Sequence, residues 1–251
     1  MSATFDRLAR PYHLLERLAF GNRLNAVRRF GLHGLSTPRR ALLIGDGDGR
    51  FACALLRQYS GIVVDSLDIS RGMLRTARTR IRRELPGAVN RFRAVHADCC
   101  QLPLAPGPYD LVVLHFVLDC LSESESERLL GGVGDWLAPN GRLLYSDFSL
   151  PAGPLPWRLA GAVIIRLLYL FFGLVAGVER RRLPRFVWPE QLALSASSER
   201  LKGLVVGQVR VWSPNQPSPC GSPGLPEPRP GAHFPVARPP GAALGSCSTG
   251  N

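Results

Sequence analysis

Gly45, Gly47 and Gly49 alternate with Asp46 and Asp48 directly behind the apolar run Ala41–Ile44. A turn of this composition can bring main-chain N–H groups against a ligand. The third glycine follows the second by one intervening residue, so the loop is GxGxG and not the GxGxxG of dinucleotide enzymes. Taken alone, it reads equally as a tight structural corner or as a ligand loop. Carboxylates also stand at the ends of later apolar runs: Asp68 closes the second and Asp98 follows the third. A carboxylate so placed can accept from both hydroxyls of a ribose, or cap the helix that follows. His115 and Phe116 end a fourth run, Asp119 lies just beyond, and Asp147 ends a fifth. His115, Asp119 and Asp147 are the candidates for a general base, and each also has a structural reading. Cys99-Cys100 reads as a pair of small buried hydrophobes rather than as a nucleophile.

These residues need a scaffold that brings them to one edge. Strand-like runs at 41–44, 62–67, 92–96, 111–115 and 142–146 alternate with helical patterns at 51–59, 70–84 and 124–137, the second of them opened by a Ser70 cap. The alternation predicts an α/β fold, a Rossmann-like doubly wound sheet that is mostly parallel, with ligands at the carboxyl ends of its strands. Residues 5–35 read as an N-terminal helical cap interrupted by Pro11. Residues 189–200 read as a further helix begun by Pro189, and 204–206 with 208–212 as two short strands or a hairpin, giving an antiparallel C-terminal strand. The domain so delimited is 1–212. Residues 213–251 are rich in proline and glycine, nearly uncharged and without hydrophobic period, which predicts a disordered tail.

An apolar helical insert occupies 150–188. Between Leu159 and Val178 the only charge is Arg166, and Arg180–Arg182 follow. The length suits a bilayer span, but an arginine at its centre costs about 2.5–3.5 kcal/mol on insertion scales. Three readings stand: a lid or core helix pair around Gly161 and Gly173, peripheral membrane contact through 157–178, and a span.

Hydrophobic content of 45% and charged content of 20% are those of an ordinary globular chain. A net charge of +12 would suggest nucleic acid or anionic membrane. However, Lys202 is the only lysine, and so complete an arginine preference is what GC-rich codon usage produces. The six cysteines show no CxxC and no zinc-ligand spacing, so no metal is expected. Met1–Arg10 lacks an apolar signal core, and reduced thiols place the chain in the cytoplasm, with membrane association left open.

Together, the GDGDG loop, Leu67-Asp68-Ile69-Ser70 with Met73, His96-Ala97-Asp98, Tyr109-Asp110-Leu111-Val112-Val113 and Leu137-Ala138-Pro139-Asn140-Gly141-Arg142-Leu143 resemble the class I S-adenosylmethionine-dependent methyltransferases over residues 5–212. Their small-molecule branch, similar to the ubiquinone/menaquinone methyltransferases, also shares the opening Phe5–Tyr12 pattern. The resemblance implies S-adenosyl-L-methionine as cofactor, with Gly45, Asp46, Gly47 and Gly49 along its methionine and sugar. It puts Asp68 on the ribose hydroxyls, Ile69 and Met73 against the adenine, and Asp98 with Cys99 at the adenine amino group. His115 and Phe116 would lie under the sulfonium, and Tyr12 would close over the cofactor from the N-terminal helix. Asp48 departs from the small residue or Thr common at its position, and adds negative charge near the sulfonium. The implied reaction is in-line methyl transfer to a small-molecule acceptor, a lipophilic one if it enters past 157–178. Neither an Asn/Asp-Pro-Pro-Tyr/Phe motif after the fourth strand nor a Pro-Cys catalytic loop is present, so no nucleic acid is expected as substrate. A non-catalytic S-adenosylmethionine-binding module and an RNA methyltransferase remain as alternatives, and the oligomeric state is left open.

Overall fold

Short apolar runs and capped helices wind into an α/β sandwich in the computed structural model, which describes residues 23–101, 107–151, 153–176, 183 and 186–214. All of these lie in the unit Met1–Pro219. The strands are β1 (Arg40–Ile44), β2 (Val63–Asp68), β3 (Phe92–His96), β4 (Tyr109–His115), β5 (Leu137–Phe148), β6 (Leu192–Arg200) and β7 (Val205–Trp212). They form one sheet in the order β3-β2-β1-β4-β5-β7-β6. The first five are parallel, while β7 runs antiparallel to both β5 and β6. The helices are α1 (Arg23–Arg28), α2 (Arg50–Gln58), α3 (Arg71–Glu84), α4 (Glu123–Trp136) and α5 (Leu155–Ala176).

Helices on both faces explain why β1 and β4 read as unbroken apolar runs. Leu43, Leu111 and Val113 pack with Phe51, Leu55 and Leu56 of α2 on one face. Leu42, Ile44, Val112 and Leu114 pack with Leu129, Leu130 and Val133 of α4 on the other. Each such side chain, withdrawn from water, contributes about 1.5–3 kcal/mol. The helix starts follow their sequence signals. Ser70 Oγ accepts from the Met73 N–H at 3.1 Å, and Ser122 with Glu125 forms a reciprocal capping box. At the amino edge of the sheet, the Asp110 carboxylate accepts from the Arg39 and Arg40 N–H groups at 2.7 and 2.9 Å, pinning the start of β1 to β4.

Four expectations change. Residues 192–200 are a strand, not a helix. Leu-Ala-Leu-Ser-Ala-Ser-Ser-Glu-Arg buries only Leu192, so no apolar face exists at helical spacing for a core to hold. β7 instead offers a ladder from Leu192↔Trp212 to Arg200↔Val205, and that pairing outweighs weak local propensity. Residues 205–212 are a single strand, and the hairpin turns at Leu201–Gly203, where three successive residues have positive φ. Among the described residues the insert contains one helix of 22 residues, continuous through Gly161 and Gly173 and not a pair around them. Gly161 does not break it; a Cβ there would collide with Pro151, so the glycine admits a close contact. β5 extends from Leu137 to Phe148, well beyond 142–146.

Among the described residues no helix is long and apolar enough to cross a membrane. Residues 5–22 of the expected cap, Tyr12, Arg180–Arg182 and all of the tail after Pro214 lie outside the described residues.

Candidate functional site

The loop from β1 to α2 places three glycines in the left-handed region, with φ of +70° at Gly45, +65° at Gly47 and +79° at Gly49. Gly45 and Gly49 are also close-approach positions. A Cβ would come within 2.6 Å of Val117 Cγ2 at Gly45 and within 2.8 Å of Ala77 Cβ at Gly49. Gly47 differs: its nearest neighbour would be Met73 Sδ at 3.8 Å. That leaves a stretch of bare backbone open to a ligand.

The two loop carboxylates have separate tasks. Asp46 accepts from the Ala52 N–H at 3.0 Å and so caps α2. Burial pushes its pKa up to about 7, against the pull of that hydrogen bond and with a small contribution from Asp48. Asp48 is buried. Its oxygens meet Arg50 Nε at 3.0 Å and an Arg80 Nη at 2.8 Å. The expectation that Asp48 adds negative charge near a sulfonium is therefore corrected: two guanidinium groups neutralise it.

Because folded Asp46 holds its proton more tightly than the unfolded chain does, its contribution to stability is largest below about pH 4. That contribution is lost as pH rises through about 7. Asp46→Asn keeps the cap and cannot ionise. The difference in melting temperature between variant and wild type is therefore expected to move in the variant's favour by a few degrees from pH 5 to pH 8. A scan with no pH-dependent difference would contradict this.

The carboxyl ends of β3, β2, β1 and β4 adjoin in that order. Asp68 is buried at the end of β2, with Oδ1 accepting from the Ser70 N–H at 2.8 Å and Oδ2 from the Gly47 N–H at 3.3 Å. It thus fixes the glycine loop from the neighbouring strand. Ile69 is half-buried and Met73 buried beside it. Past β3, Asp98 Oδ1 accepts from the Cys100 N–H at 2.9 Å. Ligand atoms of Asp98, Cys99 and Cys100 lie within 4.8 Å of one another, a spacing that could hold a metal ion. Burial pushes both thiols up.

Beyond β4 the candidates divide between the two faces of the sheet. His115 pairs with Ser146, whose hydroxyl donates to Val27 O at 3.5 Å, and its ring meets Phe51 edge-on with centroids 4.6 Å apart. Burial, with a smaller push from Arg28, holds its pKa well below the usual range, so the imidazole is neutral. Its Nδ1 has no hydrogen-bond partner among the described residues. Phe116 has φ of +57° and leans on Phe148 with centroids 5.1 Å apart. A bulky residue held in the left-handed region stores strain of about 1–3 kcal/mol. Asp147 lies one residue past Ser146 and so on the other face, where its Oδ2 accepts from the Asp119 N–H at 3.2 Å. Asp119 and Asp147 are brought together, both buried; His115 is not brought to them.

Sequence reasoning missed a group beside this acidic pair. Tyr145 packs edge-on against Phe186 and Trp188, with centroids 6.1 and 5.0 Å away. The Arg210 guanidinium lies 3.9 Å over the Trp188 ring. Burial, followed by the charges of Asp147 and Asp119, pushes the Tyr145 phenol well above its ordinary value. The only sequence signal was the aromatic pair Phe186 and Trp188 just before β6.

Residues 41–141 match a family described as a methyltransferase domain. Over 187 residues the chain is 34% identical to the ubiquinone/menaquinone biosynthesis C-methyltransferase UbiE of Syntrophotalea carbinolica, covering 72% of this chain and 75% of that one. The chain belongs to the class I S-adenosylmethionine-dependent methyltransferases. This methyltransferase is also 31% identical to the demethylmenaquinone methyltransferase of Thermus thermophilus, covering 69% of this chain and 77% of that one. Its fold recurs in the N-methyltransferase NodS of Bradyrhizobium japonicum in complex with S-adenosyl-L-homocysteine, with a TM-score of 0.51 and 18% identity over 77% of this chain and 87% of that one. It is therefore an S-adenosylmethionine-dependent methyltransferase acting on a small molecule. Family membership implies the methyl donor, and the open backbone at Gly47 with the buried Asp68 carboxylate beside it suits a ribose-bearing ligand.

Proposed function

We propose that this methyltransferase modifies a lipophilic small molecule that reaches the site along α5 from a membrane surface. One observation carries the reading: α5 is apolar on its exposed side as well as its packed one. It buries Gly161, Ile165 and Tyr169, a single stripe at i, i+4 and i+8. On the opposite side, Leu159, Val163, Leu167 and Leu170 are 57–60% exposed. A helix packed on a soluble core normally turns polar side chains outward, and an exposed apolar patch of this kind marks an interaction site. Arg158 and Arg166 on the same helix are exposed cations, and near an anionic leaflet each would add about 1 kcal/mol to the apolar insertion. The curated relatives are named for ubiquinone and menaquinone biosynthesis, and a lipophilic acceptor here is in keeping with them.

In this reading residues 1–212 are the catalytic domain, with 5–35 as its cap, 150–188 as its lid and 213–251 appended. Gly45, Asp46, Gly47 and Gly49 line the methyl donor's methionine and sugar. Asp68 takes the ribose hydroxyls, Ile69 and Met73 flank the adenine, Asp98 and Cys99 face its amino group, and Tyr12 closes over it. When bound, S-adenosylmethionine supplies an already activated methyl group on a cationic sulfur. The chain's own residues then have to position the acceptor in line and exclude water. Neutral His115 and strained Phe116 form the wall behind the reacting end. An acceptor that must lose a proton would give it to the Asp147–Asp119 pair, whose buried carboxylates lie beside Tyr145 and its aromatic neighbours.

The test is co-sedimentation with vesicles containing about a third anionic lipid, a composition chosen because leaflet charge adds to apolar insertion. Wild type is expected to pellet, and Leu159→Ser/Val163→Ser/Leu167→Ser to lose at least about fivefold in vesicle affinity. S-adenosylhomocysteine affinity should stay unchanged. A wild-type chain that remains wholly in the supernatant would sink the membrane reading.

A further inference from the structure

A groove of about 450 Å³ lies between α1, α2 and α3. Its walls carry Arg28 from α1 and Arg29 from the turn behind it, Arg50 and Arg57 from α2, and Arg80 with Glu84 from α3. None of the loop glycines, Asp68, Asp98 or His115 lines it. Arginine and lysine together make up 31 of the 251 residues, yet five of the eleven lining positions are arginine. Codon usage does not concentrate them in this way.

Two carboxylates hold three of the groove's arginines. Asp48, behind the wall, holds Arg50 at 3.0 Å and Arg80 at 2.8 Å. Glu84 holds Arg57 at 2.7 Å and Arg80 at 3.2 Å. Arg57, then Arg83 and Arg80, keep the Glu84 carboxyl below its ordinary range. Both carboxylates are thus tethers that spread three guanidinium groups along the walls. Arg28 lies 4.9 Å over the Phe116 ring. Arg29 is exposed and makes no ion pair among the described residues.

We propose that this groove is a binding site for a small soluble molecule carrying a diphosphate or triphosphate group. Guanidinium forks match phosphate oxygens two at a time, and arginines on three separate helices call for an anion with several phosphates in a row. A single phosphate would reach only one wall. The recess between helices does not suit a flat bilayer, and its volume is that of a small-ligand site, not of a duplex track. Arg28 also touches Phe116, and Phe51 lines the groove while touching His115. An anion seated there would therefore contact side chains that also form the back wall of the methyl-transfer site.

Calorimetric titration of the full chain with inorganic tripolyphosphate, at fixed ionic strength and without any methyl acceptor, tests the proposal. Saturable binding is expected, weakened at least tenfold by Arg29→Ala/Arg57→Ala, with S-adenosylhomocysteine affinity unchanged in that variant. If the double variant fails to fold, Arg29→Gln at its exposed position carries the test, with an expected loss of about threefold. Non-saturating binding, or equal binding by wild type and variants, would overturn the proposal. So would competition by S-adenosylhomocysteine, which would place the anion in the methyl-donor site. Phosphoinositide vesicles or single-stranded RNA that bind through the same arginines more tightly than tripolyphosphate would overturn it in favour of a lipid or nucleic-acid partner.

Discussion

Alanine at Asp68 is expected to weaken S-adenosylhomocysteine binding by roughly 100- to 10,000-fold, the equivalent of losing two charge-assisted hydrogen bonds at about 1.5–3 kcal/mol each. Two losses combine. The ribose would lose its carboxylate, and the Gly47 and Ser70 N–H groups would lose the acceptor that now lies 3.3 and 2.8 Å away. The loop would no longer be held in its binding shape before the ligand arrives. Asp68→Asn retains one carbonyl oxygen for those two N–H groups and should fall between, at about tenfold. Isothermal titration with S-adenosylhomocysteine measures this without knowledge of the acceptor. Wild-type affinity in Asp68→Ala would remove Asp68 from the cofactor site.

Gly49→Ala is expected to destabilise the fold by about 2–4 kcal/mol, from the left-handed backbone and from overpacking. The φ of +79° is one part. The other is the new methyl group, which would sit 2.8 Å from Ala77 Cβ and 2.9 Å from Ala77 Cα. Backbone cannot rotate aside as a flexible side chain can, so α2 and α3 would have to separate. For a domain of this size the melting temperature should fall by roughly 4–16 °C. Gly47→Ala shares the unfavourable φ but has only Met73 Sδ at 3.8 Å as its neighbour, and should cost about 1–2 kcal/mol. Equal melting temperatures for the two variants would show that the α2–α3 contact is not what Gly49 permits.

The parallel half of the sheet was readable because each strand is buried on both faces. Continuous apolar runs such as Ala41–Ile44 and Leu111–Leu114 leave little else to do with the chain. Ser70 and Ser122 sit at their helix starts because a local oxygen meets a local N–H. The C-terminal hairpin was only half readable. β6 carries alanines and serines with no strong preference, and what makes it a strand is β7, which comes later in the chain. Asp48 misled for the same reason. Its partner Arg80 lies on another helix, so its charge could not be balanced from the sequence. The contact of Tyr145 with Trp188 and Arg210 joins three separate segments, and no periodicity reports such a meeting.

The strand order carries a consequence for how the chain is made. β7 is the last strand in sequence, yet it lies between β5 and β6. During vectorial synthesis the sheet cannot be completed in the order in which its strands emerge. β5 must wait with an unsatisfied edge while α5 and β6 are produced, and β6 has no neighbour until Val205–Trp212 follows it. An open edge of that kind recruits other chains, and late, long-range pairing is the slow step of folding. Ribosome-bound nascent chains that stop before Val205 therefore lack the strand that covers the β5 edge.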